Sequence, residues 1–319
     1  KYWPEMRAYL GMDESFLPEI RESGELVGTV LPEMADLLGI SPQAKITTGC
    51  LDQAAGAIGV GNIRPGIFSE NIGAALAICV PTSKLTYDPN RQMPVHYFAT
   101  PDTYMMHTFT TGGMCLRWFR DGFCQPELDI QNLTGVDAYD LMGKEADRVA
   151  PGSDGLIMLP HLQGSMAPDV NLNAKGVFYG ATLQHNKAHF VRSIMESLGY
   201  LIRRNLEAID AMGEEVKQIR TMGGGSKSDV WNQIKADITG KTLHVTYSSQ
   251  DTACLGAAIL AGKAAGVFES IESAVDSMVK IKKTFEPNPA NRAVYDKQYK
   301  KFKLLFTPLS TLFDEDAKG

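Results

Sequence analysis

The sequence predicts an α/β fold, because short apolar runs typical of strands alternate with amphipathic helices along the chain. A second observation is the segment Thr221–Gly240, in which three glycines separate a short apolar run from an amphipathic helix. Glycines in that place leave no Cβ in the way, so a flat base or a phosphate can approach the main chain and the helix N-terminus closely. The alternative is an ordinary tight turn, because glycine commonly marks turns.

The composition limits the classes of partner. The 319 residues suffice for about two domains, and 44% hydrophobic with 21% charged residues is ordinary for a soluble globular protein. A formal charge of −6 gives no basic surface for nucleic acid and favours small polar or phosphorylated ligands. No apolar run is long enough to cross a bilayer, so no membrane partner is expected. The five cysteines lack CxxC spacing, which indicates reduced, buried thiols in a cytoplasmic protein.

The beginning of the chain predicts an extended pair and a short helix closed by Gly39. These elements are too few to build a hydrophobic core. We therefore expect residues 1–61 to be the end of a domain whose earlier part is absent, and residues 62–319 to form a second domain.

The first candidates for chemistry are Asp52 and Gln53, which stand between a short β run and a helix made almost wholly of Ala and Gly. An ionised carboxylate there could accept a proton from a substrate hydroxyl. The small residues of the helix would let another backbone pack very closely beneath such a site. The alternative is that Asp52 only caps the helix.

The middle of the chain predicts a β-hairpin bent at Gly73, followed by two more strands. A helix then starts after a glycine pair that ends at Gly113, with Arg117 facing outward. This order of a strand, a glycine pair and a helix repeats the arrangement of Thr221–Gly240. The indication of a phosphate-binding site is weaker here, because no phosphate-binding motif is visible. Residues 124–150 predict a loop and an amphipathic helix, and residues 161–175 predict a polar surface segment.

The strongest helical pattern begins after Asn186, which can cap it, and ends at Gly213. We expect a core helix with Glu196 on its polar face. His185 and His189 are four residues apart and would share a helix face, a spacing that hints at a metal. Without a carboxylate placed as in HExxH, the pattern favours a solvated helix, and no protein-held metal is expected.

The last third predicts Ser228 as the cap of a helix that Gly240 ends. A second Ala/Gly helix follows over Asp251–Gly266 and must pack tightly against a neighbour. The tail predicts a closing helix on the surface.

Four of these segments, in this order, resemble the FGGY carbohydrate kinases, which include xylulose, ribulose, gluconate and glycerol kinases. They are Gly49-Cys-Leu-Asp-Gln-Ala-Ala-Gly-Ala-Ile-Gly, Gly112-Gly-Met-Cys-Leu-Arg-Trp-Phe-Arg-Asp, Gly223-Gly-Gly-Ser-Lys-Ser-Asp-Val-Trp-Asn-Gln and Asp251-Thr-Ala-Cys-Leu-Gly-Ala-Ala-Ile-Leu-Ala. The resemblance covers nearly the whole chain. It implies a ribonuclease H-like fold of the actin-like, hexokinase-like ATPases, with two domains and the active site in the cleft between them.

The resemblance also implies that residues 1–61 end an N-terminal, sugar-binding domain and that residues 62–319 are the nucleotide-binding, C-terminal domain. The family's DxGT phosphate loop is absent from this sequence. We therefore expect this chain alone to be inactive. The implied reaction is transfer of the γ-phosphoryl group of MgATP to a small sugar, ketose or polyol, with ATP and Mg²⁺ as cofactors and a xylulose-like pentulose as a first guess. A homodimer is left open.

The family's functional residues fall on specific positions of this chain. Asp52 matches the catalytic base and Gln53 matches a contact to a sugar hydroxyl. The positions that match the nucleotide site are Gly73, Gly113, Arg117, Gly223, Gly224, Gly225 and Ser228.

One departure concerns the hairpin that touches the γ-phosphate in the family. A glycine followed by hydroxyl residues is common there, whereas this chain has Gly73-Ala74-Ala75. Main-chain N–H groups could still bind phosphate, but the hydroxyl donor is gone. The missing hydroxyls favour a second hypothesis, a sugar or nucleotide sensor that has lost transfer. A filament-forming actin relative is a third hypothesis. The joint presence of Asp52-Gln53 and the glycine segment disfavours the filament.

Overall fold

The computed structural model describes residues 2–90 and 93–318 and confirms the predicted α/β class. The strands are β1 (Leu26–Thr29), β2 (Lys45–Thr47), β3 (Ile67–Ile72), β4 (Ala75–Thr82), β5 (Val95–Tyr97), β6 (Tyr104–Thr111), β7 (Ile157–Pro160), β8 (Gly176–Tyr179), β9 (Gln218–Met222), β10 (Thr242–Thr246) and β11 (Ile281–Phe285). The helices are α1 (Pro4–Leu10), α2 (Pro32–Leu38), α3 (Asp52–Gly59), α4 (Met114–Phe123), α5 (Gln125–Thr134), α6 (Ala138–Asp147), α7 (Lys187–Ala211), α8 (Asp229–Thr239), α9 (Thr252–Ala265), α10 (Ile271–Met278) and α11 (Arg292–Asp316).

A seven-stranded mixed sheet organises the molecule, in the order β11-β10-β9-β3-β4-β6-β5. Strands β3, β9 and β10 are parallel to one another. The hairpin β3–β4 is antiparallel and turns at Gly73, as the sequence predicts, and β6, β5 and β11 also pair antiparallel to their neighbours. The parallel strands and β6 therefore end at one edge of the sheet, beside the β3–β4 turn. In open α/β sheets ligands bind outside the carboxyl ends of the strands.

Helices cover both faces of this sheet. Alternation along β4 sends Ile78 into a large core that includes residues of α7 and α8, and sends Cys79 into a smaller core that includes residues of α3, α9 and α10. Helix α11 closes the larger core with Tyr295 and Tyr299, so it is more than a surface helix. No helix among the described residues is both long and apolar enough to cross a membrane.

The two Ala/Gly helices, α3 and α9, cross at backbone contact. A Cβ on Gly59 would lie 1.8 Å from the Thr252 carbonyl oxygen, and a Cβ on Gly256 would lie 1.9 Å from the Ala55 carbonyl oxygen. No larger side chain fits at either position without moving a helix. The structure thus confirms the predicted tight packing of both helices.

The first part of the chain forms the predicted extended pair β1–β2 and helix α2. Gly39 ends α2 in the left-handed conformation, with φ of 65°. In the described part of residues 1–51, only Gly24, Val30 and Ala35 are buried.

Two segments differ from the sequence prediction. Residues 124–150, predicted as a loop followed by one amphipathic helix, contain two helices. The first is α5, because Pro126 suits its first turn and Gly135 ends it in the left-handed conformation. Segment 161–175, predicted at the surface, is buried at about half of its positions, among them His161 and Asn171. Its polar composition was misleading because these groups are enclosed by neighbouring elements; Asn171, for example, donates to Ser310 of α11.

Helix α7 also differs in its polar residues. His185 precedes the cap Asn186 and so lies outside the helix, whereas His189 lies in its first turn. Glu196, predicted on a polar face, is 1% exposed and accepts hydrogen bonds from Arg192, from Ser153 and from the Gly152 N–H group. Burial raises the pKa of Glu196, although Arg192 opposes that shift. The sequence pattern could not reveal this, because Ser153 lies 43 residues away.

The buried His161 predicts a pH-dependent stability. Its ring is 2% exposed, and burial lowers its pKa from 6.5 to about 4. The unfolded chain therefore binds a proton below about pH 6.5 that the folded chain excludes until about pH 4. We expect this residue to reduce the free energy of unfolding by about 2 kcal/mol between pH 7 and pH 5. Urea unfolding of His161→Leu should show a correspondingly flatter pH profile than that of the wild type. An unchanged slope in His161→Leu would contradict the assignment.

Candidate functional site

A cavity of about 340 Å³ lies at the edge where the parallel strands end. It is bounded by the β3–β4 turn, by the start of α4 and by the glycine segment that follows β9. The structure brings together here six of the seven residues that the sequence predicts for the nucleotide: Gly73, Gly113, Arg117, Gly224, Gly225 and Ser228. Its size is within the range of small-molecule sites.

The glycine segment connects β9 to α8 by a short 3₁₀ turn over Gly224–Lys227. Gly223, the seventh predicted residue, adjoins the cavity and adopts φ of 75°, a left-handed conformation that favours glycine. A Cβ at Gly223 would lie 2.2 Å from Asn71 Oδ1, and a Cβ at Gly225 would lie 2.7 Å from Ile72 Cβ. The segment is therefore a turn, and the absence of Cβ atoms lets its main chain pack directly against the end of β3 beside the cavity.

Ser228 joins this segment to α8. Its Oγ accepts a hydrogen bond of 3.2 Å from the Trp231 N–H group, and Gly240 ends the helix with φ of 67°. Both predicted helix boundaries are confirmed. The N-terminus of α8, the positive end of its dipole, therefore lies at the cavity that Ser228 lines.

The opposite wall depends on the glycine pair before α4. A Cβ on Gly112 would lie 2.2 Å from the Ala75 carbonyl carbon, and a Cβ on Gly113 would lie 2.4 Å from the Gly73 carbonyl oxygen. Only glycines let the start of α4 pack against the β3–β4 turn in this way. Ala74 and Ala75 are exposed in that turn and provide no hydroxyl group.

Asp52 and Gln53 do not line this cavity. Asp52 is the first residue of α3, exposed, and its Oδ1 accepts a 2.7 Å hydrogen bond from the Gln53 N–H group. Leu51, not Asp52, occupies the N-cap position. The capping alternative is thus wrong in its strict form, and most of the carboxylate stays available.

The placement of α3 relates Asp52 to the glycine segment. Gly56 lies one helical turn after Asp52, and a Cβ on it would be 3.5 Å from Met222 Sδ. Met222 is the last residue of β9 and directly precedes Gly223. The carboxylate and the glycine segment therefore belong to the same edge of the sheet.

The sequence reasoning missed several lining residues, which are Ile72, Met114, Leu116, Asp137, Tyr139, Asp140, Met195, Lys227 and Trp231. Asp137 caps α6 through a bond from the Tyr139 N–H group. Tyr139 also stacks under the Arg120 guanidinium, 4.6 Å from its ring centre. The Asp-x-Tyr pattern at the start of α6 was the available signal. This pattern was not recognised as part of a site, because residues 124–150 were predicted only as a loop and a helix.

A buried ion pair links β3 to α8 behind the glycine segment. Lys235 Nζ lies 2.5 Å from Glu70 Oε1 and 3.0 Å from Thr221 Oγ1, and both charged side chains are fully enclosed. Thr221 also donates to Glu70. Burial raises the pKa of Glu70 and lowers that of Lys235, while their mutual attraction opposes both shifts. The pair holds α8 against the sheet close to the point where β9 ends and the glycine segment begins at Gly223.

Within residues 2–90 and 93–318, no group of three or more His, Cys, Asp or Glu side chains is arranged to hold a metal ion. His185 and His189 lie with ring centres 5.3 Å apart, and their Nδ1 atoms are engaged by Thr182 and Asn186.

Comparison with known proteins gives this site its context. The model of the FGGY family of carbohydrate kinases, C-terminal domain, matches residues 78–265, and the model of the N-terminal domain matches residues 1–59. The gluconokinase of Bacillus licheniformis is 33% identical over 286 residues, which cover 89% of this chain and 55% of that protein. The xylulose kinase of Bacillus subtilis is 29% identical over 305 residues, with 93% and 58% covered.

A solved structure confirms the fold. Ligand-bound xylulose kinase from Lactobacillus acidophilus superposes with a TM-score of 0.87 at 25% identity, over 99% of this chain and 62% of that one. The predicted ribonuclease H-like fold of the actin-like ATPases is therefore correct. The chain spans a little over half the length of the curated relatives it matches. Because the C-terminal family model alone covers more than half of the chain, this chain belongs to the FGGY family of carbohydrate kinases.

Proposed function

We propose that the protein containing this chain transfers the γ-phosphoryl group of ATP to a hydroxyl of a small sugar, sugar acid or polyol. The observation that carries the proposal is the shared sheet edge, where a cavity with an exposed main chain and a helix N-terminus lies on the same side as the carboxylate of Asp52. The similarity to a gluconokinase and a xylulose kinase supports this class of substrate. A xylulose-like pentulose remains our first candidate among them.

In the proposed reaction the oxygen of the substrate hydroxyl bonds to the γ-phosphorus of ATP, and Asp52 accepts the proton of that hydroxyl. At the same time the bond between the γ-phosphorus and the oxygen that bridges it to the β-phosphorus breaks. ADP leaves, and the proton stays on the carboxylate until solvent removes it. Gln53 holds a neighbouring sugar hydroxyl. Mg²⁺ enters with ATP and neutralises phosphate charge.

The remaining site residues hold the nucleotide in this proposal. Gly223, Gly224 and Gly225 leave room for the base and ribose, and Ser228 keeps α8 directed at them. Gly73 and Gly113 form the phosphate end, with Arg117 at its rim. Phosphoryl transfer needs mainly such positioning and charge stabilisation.

We also propose that residues 1–61 belong to the sugar-binding domain and residues 62–319 to the nucleotide-binding domain. If the domains divide in this way, most contacts to the sugar come from outside this chain, and this chain alone does not catalyse the phosphorylation. The cytoplasm, where ATP is abundant, is the proposed location.

The proposal is tested with the complete natural protein, MgATP and a panel of xylulose, gluconate and glycerol. We expect one of these to be phosphorylated, with ADP and sugar phosphate formed in equal amounts and a kcat of about 1 to 100 per second. Phosphorus NMR detects both products directly. A mixture without sugar corrects for ATP hydrolysis.

A sensor is the second candidate, because Ala74 and Ala75 provide no hydroxyl at the phosphate turn. A sensor would bind nucleotide and one of the sugars in calorimetric titrations without forming any sugar phosphate. That result would replace the kinase proposal by the sensor.

A further inference from the structure

A second cavity, of about 360 Å³, lies at the opposite edge of the main sheet, where β3 and β9 begin. Three cationic side chains line it, from Arg64, Lys217 and Arg220, against the single carboxylate of Asp276. This excess of positive charge is unusual in a chain whose formal charge is −6. The volume is sufficient for a small organic molecule.

Arg220 carries the argument because its guanidinium is poorly compensated. It extends from the middle of β9 toward the side chains of Val275 and Val279, which share the cavity wall. Its Nη1 donates a long hydrogen bond of 3.5 Å to the Val60 carbonyl oxygen, and its Nε is buried without a partner among the described residues. Burial lowers the pKa of Arg220, and no carboxylate opposes that shift.

Arg220 is half-buried, and the cations that are more fully enclosed in the described part of the chain have an acidic partner. Arg192 pairs with Glu196 at 2.9 Å, and Lys235 pairs with Glu70 at 2.5 Å. An enclosed charge without a partner is costly, so such groups are normally paired or bind a ligand. Asp276 does not fill this role, because it pairs at 3.1 Å with Arg64 at the exposed rim.

We propose that this cavity binds a small phosphate-bearing molecule, whose phosphate pairs with Arg220 on the cavity floor and with Arg64 and Lys217 at the rim. A guanidinium presents its donors in a planar fork that matches phosphate oxygens, and such charge-assisted bonds are strong. The cavity has room beside a phosphate group, which favours a phosphate ester over the free ion. The site lies at the opposite end of β9 from the glycine segment, and is separate from the nucleotide cavity.

The test uses the complete natural protein without nucleotide, at constant ionic strength. Inorganic phosphate and a hexose monophosphate are each titrated by calorimetry, and thermal unfolding is followed in parallel. We expect saturable binding of both, tighter for the ester, and a rise in the unfolding temperature that the unphosphorylated hexose does not produce. Tighter binding of inorganic phosphate than of the ester would identify the free ion as the ligand and overturn the preference for an ester.

Three variants locate the binding. Arg220→Met should weaken phosphate binding about 10- to 100-fold, since it removes charge-assisted hydrogen bonds. It should also raise the unfolding temperature in phosphate-free buffer, because a half-buried charge without an acidic partner is removed. Lys217→Gln, at an exposed side chain, should fold normally and weaken binding less. Lys282→Met makes the same charge change as Arg220→Met at an exposed residue of β11 and should bind like wild type.

Binding that survives Arg220→Met and Lys217→Gln would overturn the proposal, as would the absence of saturable binding in the wild type. Loss of phosphate binding in Arg117→Met, with Arg220→Met unaffected, would place the phosphate in the nucleotide cavity instead. If Arg220→Met does not fold, Lys217→Gln and Arg64→Gln decide between these outcomes.

Discussion

Asp52→Asn should lower kcat of sugar phosphorylation by about 10² to 10⁴, the usual contribution of a positioned general base. Asparagine keeps the shape of the side chain and can still accept a hydrogen bond from the Gln53 N–H group, but it cannot take up the proton of the substrate hydroxyl. Nucleotide affinity should change little, because Asp52 lies outside the cavity that we assign to ATP. The measurement is steady-state kinetics with calorimetric titration of both ligands.

Stability must be measured beside activity, because Asp52 occupies the first turn of α3. Loss of its negative charge there should reduce the free energy of unfolding by only about 0.3 to 1 kcal/mol. Asp36→Asn, which removes an exposed carboxylate from α2, is the matched control and should keep full activity. Retention of wild-type kcat in Asp52→Asn would remove the general-base role.

Local rules predicted part of this structure well. Ser228 caps the N-terminus of α8 and Gly240 ends the helix, as the sequence predicts, and the β3–β4 hairpin turns at Gly73. The residues predicted for the nucleotide converge because they lie in segments that adjoin strand ends at the same edge of the sheet. Strand order itself was not predicted from the residues, since pairing of β3 with β9 joins segments about 150 residues apart.

The side chains that were missed are those whose environment is set by distant elements. Glu196 and Lys235 occur on amphipathic helices, where a charged residue normally indicates the solvated face. Their partners include Ser153 and Glu70, which lie 43 and 165 residues away. Periodicity reports only which residues share a face. It does not report which polar face a second element will cover.

The enclosed pair of Glu70 and Lys235 leads to the largest expected effect on stability. Lys235→Met should lower the free energy of unfolding by about 3 to 5 kcal/mol, because it leaves Glu70 enclosed with Thr221 as its remaining donor. Methionine fills most of the volume of the lysine stem, so the loss is mainly electrostatic. Equilibrium urea unfolding measures it.

The pH dependence of this loss has a defined sign. Without Lys235 the burial of Glu70 is no longer opposed, so its folded-state pKa rises further above the unfolded value. A group with a raised folded-state pKa stabilises the folded chain at low pH, and this stabilisation is lost as the pH rises through that pKa. Lys235→Met should therefore be closer to wild type at pH 5 than at pH 8.

A triple variant separates charge from packing. Glu70→Leu and Thr221→Val, added to Lys235→Met, replace all three polar groups by apolar ones of similar size and should recover most of the lost stability. A triple variant as unstable as Lys235→Met would show that packing, not the uncompensated carboxylate, causes the loss. Because Thr221 leads into Gly223 through Met222, the nucleotide affinity of the recovered variant also shows whether the ion pair positions the glycine segment or only stabilises the fold.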